Sequence, residues 1–419
     1  MNSHSPRAPS RAASASRAAS TATASLAAAV ALLLGVTACA PSAPAAPAPS
    51  ASPDEHGIDA GDAAEVAAPA RALVIADRNG ELTLLDLDTE ERSTLAPGHD
   101  DVTGLVSDGR LLYRAYDAEG GTVVEVFDSA RWTVPHGDHT HSFRGEPRSL
   151  GNLEGEGGVR VVAGEQRATI AFASGELILL AHDTLAGGLD AAPHATVDAF
   201  GPVAFFADHL LVPTADTGIE LLDPAGSPVP GAATPCADPS DADITRVGAV
   251  FTCSEGAVLF TREVGGAIAA ETIPYPAAAA PVTGLAGRPD RPDLAGVTGA
   301  QGAWLLDVRQ RQWMLLSSDV PLLRAAALGD DDSRTVAIDA DGRVRVLAPD
   351  GTVLARTEPL LAASVTDPAL RESVQLLVDA QHAYVTDPAT GAVHEIDHGD
   401  GTVTRTFADL DPRFVQQVG

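Results

Sequence analysis

The segment from residue 136 to 141, HGDHTH, concentrates the residue types that bind metal ions. It places three imidazoles and one carboxylate within six positions of a chain that has 12 His among 419 residues. Imidazole nitrogens and carboxylate oxygens are the ligands that zinc prefers outside thiolate sites. In an extended chain His139 and His141 project to the same side, and the glycine after His136 allows the backbone to bring that residue back towards them. The pattern predicts a zinc site formed by His136, Asp138, His139 and His141.

Asp138 has two possible roles in this site. It is either the fourth ligand or the acceptor that fixes the tautomer of one imidazole. A polar exposed loop whose histidines titrate near neutrality is the alternative interpretation of the whole segment. The other histidines are scattered along the chain, where we expect them at strand ends or on the surface.

Catalytic motifs are missing from the sequence. It contains no GxSxG, HExxH or GxxxxGK[ST] pattern, and it contains no Lys, which excludes lysine chemistry. A formal net charge of -30 argues against a nucleic-acid partner, because a polyanion would be repelled. We therefore expect a protein that is not an enzyme and does not bind nucleic acid.

The N-terminus has the features of a bacterial export signal. Residues 1–38 carry three Arg and no acid before the apolar run Leu26–Val36, which is short for a membrane span. The run ends in Val-Thr-Ala-Cys, which resembles a lipobox and predicts lipidation of Cys39. An ordinary secretory signal is the alternative. Residues 39–70, rich in Pro, Ala and Ser near their start, are predicted to tether a domain at 71–419 to the outer face of the cell membrane.

Two further cysteines, Cys236 and Cys253, are predicted to form a disulfide. Outside the cytoplasm disulfides persist, and Cys39 is the only other cysteine in the chain. A redox or metal-thiolate role is the weaker interpretation because no CxxC spacing is present.

The domain reads as a repeat of short strands separated by Gly, Asp-Gly and Asn-Gly. The clearest unit is Val102–Val134, with Trp132–Val134 as its fourth strand. Ala72–Leu95 supplies about three strands, and we expect Arg413–Gly419 to return as the missing one and close a ring. Similar units follow at Val161–Asp183, Pro202–Asp223, Ile244–Thr261, Val282–Leu316, Leu323–Thr357 and Val374–Phe407. This arrangement predicts an all-β β-propeller of about eight four-stranded blades, with seven blades or two β-sandwiches as the alternatives.

Taken together, these features resemble the AztD-type zinc metallochaperones. The resemblance rests on the export signal, the propeller repeat, the HGDHTH segment, and the phrases DTGIELLD at 216–223 and VTDPATGAVHEID at 385–397. It implies that His136, Asp138, His139 and His141 bind zinc and that the protein delivers zinc to the solute-binding protein of an ABC transporter. Two other functions stay open, a propeller that binds proteins or the envelope without metal, and a propeller lyase or hydrolase.

Overall fold

The computed structural model describes residues 61–136, 139–164, 166–231, 233–276, 280–282, 284–299 and 302–419. The predicted export signal, Cys39 and most of the predicted tether lie outside these residues. Helix is confined to α1 (Ala362–Thr366), α2 (Pro368–Arg371) and two 3-10 segments, His182–Gly187 and Leu189–Ala191, within the described ranges. None of the helices in this part of the chain is long and apolar enough to span a bilayer.

The first ten strands form two meanders and one separate small sheet. They are β1 (Ala64–Val66), β2 (Ala72–Asp77), β3 (Leu82–Asp86), β4 (Arg92–Ala96), β5 (Val102–Ser107), β6 (Leu111–Ala118), β7 (Gly121–Asp128), β8 (Arg131–His136), β9 (His139–Arg144) and β10 (Arg148–Gly155). Strands β2, β3 and β4 belong to one sheet, and β5, β6, β7 and β10 form the next. The small sheet has the order β1-β9-β8.

The middle of the chain forms three consecutive antiparallel meanders. Their strands are β11 (Val159–Ala163), β12 (Arg167–Phe172), β13 (Glu176–Ala181), β14 (His194–Thr196), β15 (Ala204–Phe206), β16 (His209–Thr214), β17 (Gly218–Leu222), β18 (Asp241–Ile244), β19 (Ala249–Cys253), β20 (Gly256–Arg262) and β21 (Ile268–Pro274). The sheets are β11–β14, β15–β17 and β18–β21.

The last third adds three more meanders and the closing strand. Its strands are β22 (Asp293–Val297), β23 (Gly302–Asp307), β24 (Gln312–Ser317), β25 (Leu322–Ala327), β26 (Thr335–Asp339), β27 (Val344–Leu347), β28 (Val353–Arg356), β29 (Leu376–Val378), β30 (His382–Asp387), β31 (Ala392–Asp397), β32 (Thr402–Phe407) and β33 (Pro412–Val418). Strands β22–β24, β25–β28 and β29–β32 form the sheets, and β33 joins the first sheet in the order β33-β2-β3-β4.

The C-terminal strand closes the ring as the sequence predicts. β33 runs antiparallel to β2, with Ala72 opposite Val418 and Ala76 opposite Phe414. The first and last strands of the ring therefore share one sheet, which removes the free edge that an open array would expose. Apolar side chains from neighbouring sheets fill the space between them, for example Val124 and Val126 of β7 with Ile170 of β12. The predicted all-β propeller is confirmed.

Asp-Gly turns connect several strands with the predicted geometry. Gly342, Gly351 and Gly401 have φ values of +81°, +84° and +78°. These values lie in the left-handed region that glycine adopts without a steric penalty. The sequence signal for the hairpins in the last third of the chain is therefore correct.

The prediction for the second unit is wrong at its fourth strand. That strand is β10, which pairs with β7 from Arg148 opposite Asp128 to Gly155 opposite Thr122. Trp132–Val134 instead belongs to β8, and β8 pairs with β9 to form a hairpin inserted between β7 and β10. The alternation of apolar residues shows that a segment is a strand, but it does not show which strand pairs with it.

Part of the segment predicted as a tether forms a strand. Ala64–Val66, within the predicted tether, forms β1 and pairs with β9 from Ala64 opposite Arg144 to Val66 opposite Ser142. The small sheet therefore combines an N-terminal segment with a hairpin from the middle of the second unit.

A disulfide joins Cys236 and Cys253, as expected, with the two Cα atoms 5.3 Å apart. Cys253 ends β19, whereas Cys236 lies in the long connection between β17 and β18. Both pack in an apolar cluster with Phe251 and Phe260. The bridge therefore pins that connection to the sheet β18–β21.

Removing this bridge is expected to lower stability without unfolding the ring. Replacing both cysteines with Ser should reduce the free energy of unfolding by about 2–4 kcal/mol, because the unfolded chain loses a loop constraint. Denaturant unfolding of the parent and the double variant measures the difference. Intact mass after alkylation, with and without prior reduction, should show both thiols blocked in the native protein. Two alkylated cysteines in unreduced protein would contradict the bridge.

Candidate metal centre

The histidine-rich segment forms the tip of the β8–β9 hairpin. Strands β8 and β9 pair from Arg131 opposite Arg144 to His136 opposite His139, so residues 137 and 138 connect them. Asp138 lies outside the described residues, and of His136 only the backbone is described. The structure therefore reports on the side chains of two of the four predicted ligands, His139 and His141.

His139 and His141 face each other, as the extended-strand argument predicts. Their Nε2 atoms are 3.0 Å apart, and their rings meet edge to face with centroids 4.8 Å apart. Zinc–imidazole bonds are ~2.0–2.1 Å long, and two of them at a tetrahedral angle set the nitrogens about 3.3 Å apart. The observed spacing is therefore within a few tenths of an ångström of what a shared zinc ion requires.

A carboxylate from another part of the chain contacts the second imidazole. Oε1 of Glu65, on β1, is 2.7 Å from Nδ1 of His141. An ionised carboxylate only accepts hydrogen bonds, so Nδ1 of His141 donates its N–H to Glu65. In the neutral ring the lone pair then lies on Nε2, the atom that faces His139. A carboxylate behind a histidine is the arrangement that orients imidazole ligands in zinc sites.

Sequence reasoning missed Glu65 for a physical reason. The residue lies 76 positions before His141 in a segment that resembles a tether, and nothing in its local pattern marks a site. Only the pairing of β1 with β9 brings the two side chains together. A single acidic residue between two small apolar ones is too common to predict such a contact.

The base of the hairpin is anchored by a buried carboxylate. Arg131 and Arg144, which lie opposite each other, both reach Oδ2 of Asp86, with Nη2–Oδ2 distances of 3.0 and 2.7 Å. The Asp86 carboxylate also accepts hydrogen bonds from the backbone N–H groups of Asp88 and Thr89. Without this negative charge the two guanidinium groups would repel each other across the hairpin.

The pKa of Asp86 reflects these contacts. Burial by itself would raise the pKa of this carboxyl group. The backbone hydrogen bonds from Thr89 and Asp88, together with the positive charges of Arg131 and Arg144, outweigh burial and bring the pKa below its ordinary value. Asp86 is therefore ionised in the folded protein across the neutral range.

Aromatic stacking holds the middle of the hairpin. The ring of Trp132 stacks on Phe143 of the opposite strand at 5.1 Å, and the guanidinium of Arg110 lies 3.8 Å from the centroid of the Trp132 ring. Arg110 is in turn bound to the carboxylate of Asp128. The histidine pair thus stands on a hairpin whose base and middle are fixed to the propeller.

The other described histidines have separate surroundings. His99 stacks on Tyr116 with centroids 4.0 Å apart, and His182 contacts Oδ2 of Asp108 at 2.9 Å. His194 contacts Glu176 at 3.1 Å. Across the described ranges no group of three or more His, Cys, Asp or Glu side chains is arranged to hold a metal ion. Any metal site on the hairpin therefore depends on residues at its turn as well.

A pair of acids on β18 is the other unusual group. Burial raises the pKa of Asp241 and of Asp243, and for Asp243 the neighbouring charge of Asp241 raises it further. Such pairs are typical of acid–base sites. However, no third metal-binding side chain completes a site around them in the part of the chain that the structure describes.

Known structures define the class of this fold. No protein-family model matches the sequence, and no curated protein matches it. Among solved structures, the fold is similar to AztD-type β-propellers. Apo AztD from Citrobacter koseri superposes with a TM-score of 0.69 at 17% identity, covering 84% of this chain and 98% of that chain.

A second Citrobacter koseri AztD crystal structure gives a TM-score of 0.69 at 16% identity, covering 83% of this chain and 97% of that one. Dihydro-heme d1 dehydrogenase NirN gives 0.50 at 15% identity, covering 83% and 75%. The chain therefore has an AztD-like propeller fold, in agreement with the resemblance of its sequence. At identities this low, the structural similarity establishes the fold alone, and the function has to be inferred from the site.

Replacing Asp86 with Asn should destabilise the protein through the hairpin base. The change removes the carboxylate that Arg131 and Arg144 share, and breaking a buried ion pair such as Arg131–Asp86 typically costs about 3 kcal/mol or more. The effect should depend on pH. The pKa of Asp86 is lower in the folded state, so its stabilisation is complete above the unfolded value of about 3.9 and disappears as pH falls through the folded value.

Denaturant unfolding of the parent and of Asp86→Asn at pH 7 and near pH 3 measures this difference. Asp332→Asn, a change at an exposed turn, is the matched control and should alter stability little at either pH. An equal and small effect of both substitutions at pH 7 would show that Asp86 does not anchor the hairpin.

Proposed function

We propose that this protein is an extracytoplasmic zinc metallochaperone that binds zinc at the β8–β9 hairpin and passes it to the solute-binding protein of an ABC transporter. The observation that carries the proposal is the facing pair of Nε2 atoms of His139 and His141, 3.0 Å apart, with Glu65 on the other nitrogen of His141. Without metal, Nε2–H of His139 donates to Nε2 of His141, and loss of that one proton would leave two imidazole nitrogens close enough to share a zinc ion.

The turn supplies the remaining donors of the proposed site. His136 ends β8 directly opposite His139, and Asp138 precedes His139 in the chain. Three imidazoles with one carboxylate are a donor set of nitrogen and oxygen that suits zinc. The acidic character of the chain, with a net charge of -30, favours the approach of a divalent cation.

Transfer to a partner needs a site that the partner's ligands can reach. His139 is exposed at the start of β9, whereas His141 is only 7% exposed. Incoming ligands can therefore approach from the His139 side while His141 still holds the ion. Ligand exchange of this kind makes and breaks only metal–ligand bonds, so the proposed role is not enzymatic.

The proposed location and partner depend on the sequence. The lipobox-like sequence before Cys39 supports an exported protein that is anchored to the outer face of the cell membrane by lipid. The resemblance to the AztD-type zinc metallochaperones supports the transporter-associated partner, and the propeller similarity to AztD is consistent with it. A propeller that binds other proteins without metal is the competing function, and zinc binding separates the two.

Replacing His139 and His141 with Ala should lower zinc affinity by more than about 100-fold, because two direct ligands are lost and even an outer partner accounts for 10- to 100-fold. Zinc titration of the purified protein by calorimetry or by competition with a chelating dye measures the change. Binding to the parent should weaken on acidification, because protons compete with the metal for the imidazole nitrogens.

His209→Ala is the matched control, since His209 lies on β16 and its Nδ1 contacts the backbone oxygen of Ala207. Zinc should raise the melting temperature of the parent and of this control, but not of the double variant, because a ligand stabilises only the state that binds it. If the double variant binds zinc as tightly as the parent, the hairpin is not the site and the metal-free binding module becomes the better interpretation.

A further inference from the structure

Glu65 reaches the histidine pair through a specific strand register. It lies opposite Phe143 in the β1–β9 pair, and His141 is two residues before Phe143 on the same strand. Residues two apart on a strand project to the same face, so Glu65 and His141 are diagonal neighbours on one face of the small sheet. The 2.7 Å contact between Glu65 Oε1 and His141 Nδ1 follows from this register.

We propose that Glu65 is a positioning residue of the zinc site, a role that rests on the proposed function. The carboxylate does not bind the metal, because it contacts the nitrogen of His141 that points away from His139. It accepts the Nδ1–H of His141 and so keeps the lone pair of that ring on Nε2. It also makes the imidazole a stronger ligand for the metal ion and fixes the orientation of the ring.

The burial of the two side chains suits this role. His141 is 7% exposed, so its ring has little freedom to turn, whereas the Glu65 side chain is 51% exposed and keeps access to water. A carboxylate in that position keeps part of its hydration while it accepts from a buried ring. The contact therefore orients the imidazole without burying an additional charge.

The strand that carries Glu65 makes the site depend on the N-terminal segment. β1 has three residues, forms the edge of the small sheet, and pairs with β9. Ala64 and Glu65 are exposed, so the apolar area that holds β1 in place is small. Zinc affinity is consequently coupled to the docking of β1, and an event that detaches β1 lowers it.

The chain offers a matched control for this contact. His194 on β14 meets Glu176 on β13 through the same pair of atom types, Nδ1 and Oε1, at 3.1 Å. Those two side chains are 49% and 40% exposed, and they lie in a different sheet from the hairpin. Glu176→Gln therefore removes the same charge from the same kind of pair away from the proposed site.

The test compares Glu65→Gln, Glu65→Ala and Glu176→Gln with the parent by zinc titration. Glu65→Gln keeps an acceptor oxygen but loses the charge, and zinc affinity should fall by about 10-fold. Glu65→Ala loses both and should fall further, towards 100-fold, whereas Glu176→Gln should match the parent. A merely structural role for Glu65 would leave zinc affinity unchanged and alter only the melting temperature.

A second measurement needs no metal. Long-range ¹H–¹⁵N NMR of histidine-labelled protein at pH 8 should show His141 with its proton on Nδ1 in the parent, and a shift towards the Nε2–H form in Glu65→Ala. The role of Glu65 alone would be overturned by one combination of results. In Glu65→Ala both the zinc affinity and the His141 tautomer would be unchanged, while zinc binding would still require His139 and His141. A parent that binds no zinc would overturn the proposed function and this role with it.

Discussion

The pairing of β33 with β2 is the constraint on which the rest of the molecule depends. It joins the two ends of the chain in one sheet, so the first and last meanders become neighbours and the ring has no open edge. Side chains reinforce this joint, since Arg71, just before β2, binds the buried carboxylate of Asp379 at 2.6 Å. Gln375 accepts from the backbone N–H of Val415 on β33 at 2.6 Å.

The same closing sheet also carries the anchor of the β8–β9 hairpin. Asp86 ends β3, two strands away from β33, and holds Arg131 and Arg144 at the base of β8 and β9. The hairpin itself adds no strand to a propeller sheet, because β10 takes the position beside β7. Changes at the histidine tip are therefore separated from the packing that stabilises the ring, and binding and stability can vary independently.

Local signals in the sequence predict most of the ring. Asp-Gly pairs specify turns at Gly342, Gly351 and Gly401 because the required φ depends on the residue itself. The returning C-terminal strand follows from counting, since a first unit with three strands needs a fourth. The prediction that Trp132–Val134 is the fourth strand of the second unit is wrong. The strand beside β7 is β10, and the local sequence does not show which of β8 and β10 pairs there.

In the candidate site, too, residues with a local sequence signal are predictable and residues brought in by long-range pairing are not. His139 and His141 are predictable because their spacing of two residues places them on one face of any strand. Glu65 is not, since a three-residue strand within an apparent tether has no periodicity to detect and its partner lies 76 residues away. The role of Asp86 cannot be predicted from the sequence either, because Asp86 is one of many acidic residues at the end of a strand.

The central claim is that zinc binds between the Nε2 atoms of two histidines at the tip of a hairpin. A crystal structure of the zinc-loaded protein, with anomalous difference maps on both sides of the zinc absorption edge, tests this most directly. The account predicts a zinc peak ~2.0–2.1 Å from Nε2 of both His139 and His141, with Glu65 still bound to Nδ1 of His141. A zinc peak away from the hairpin, or hairpin histidines without metal in a protein that binds zinc elsewhere, would contradict it.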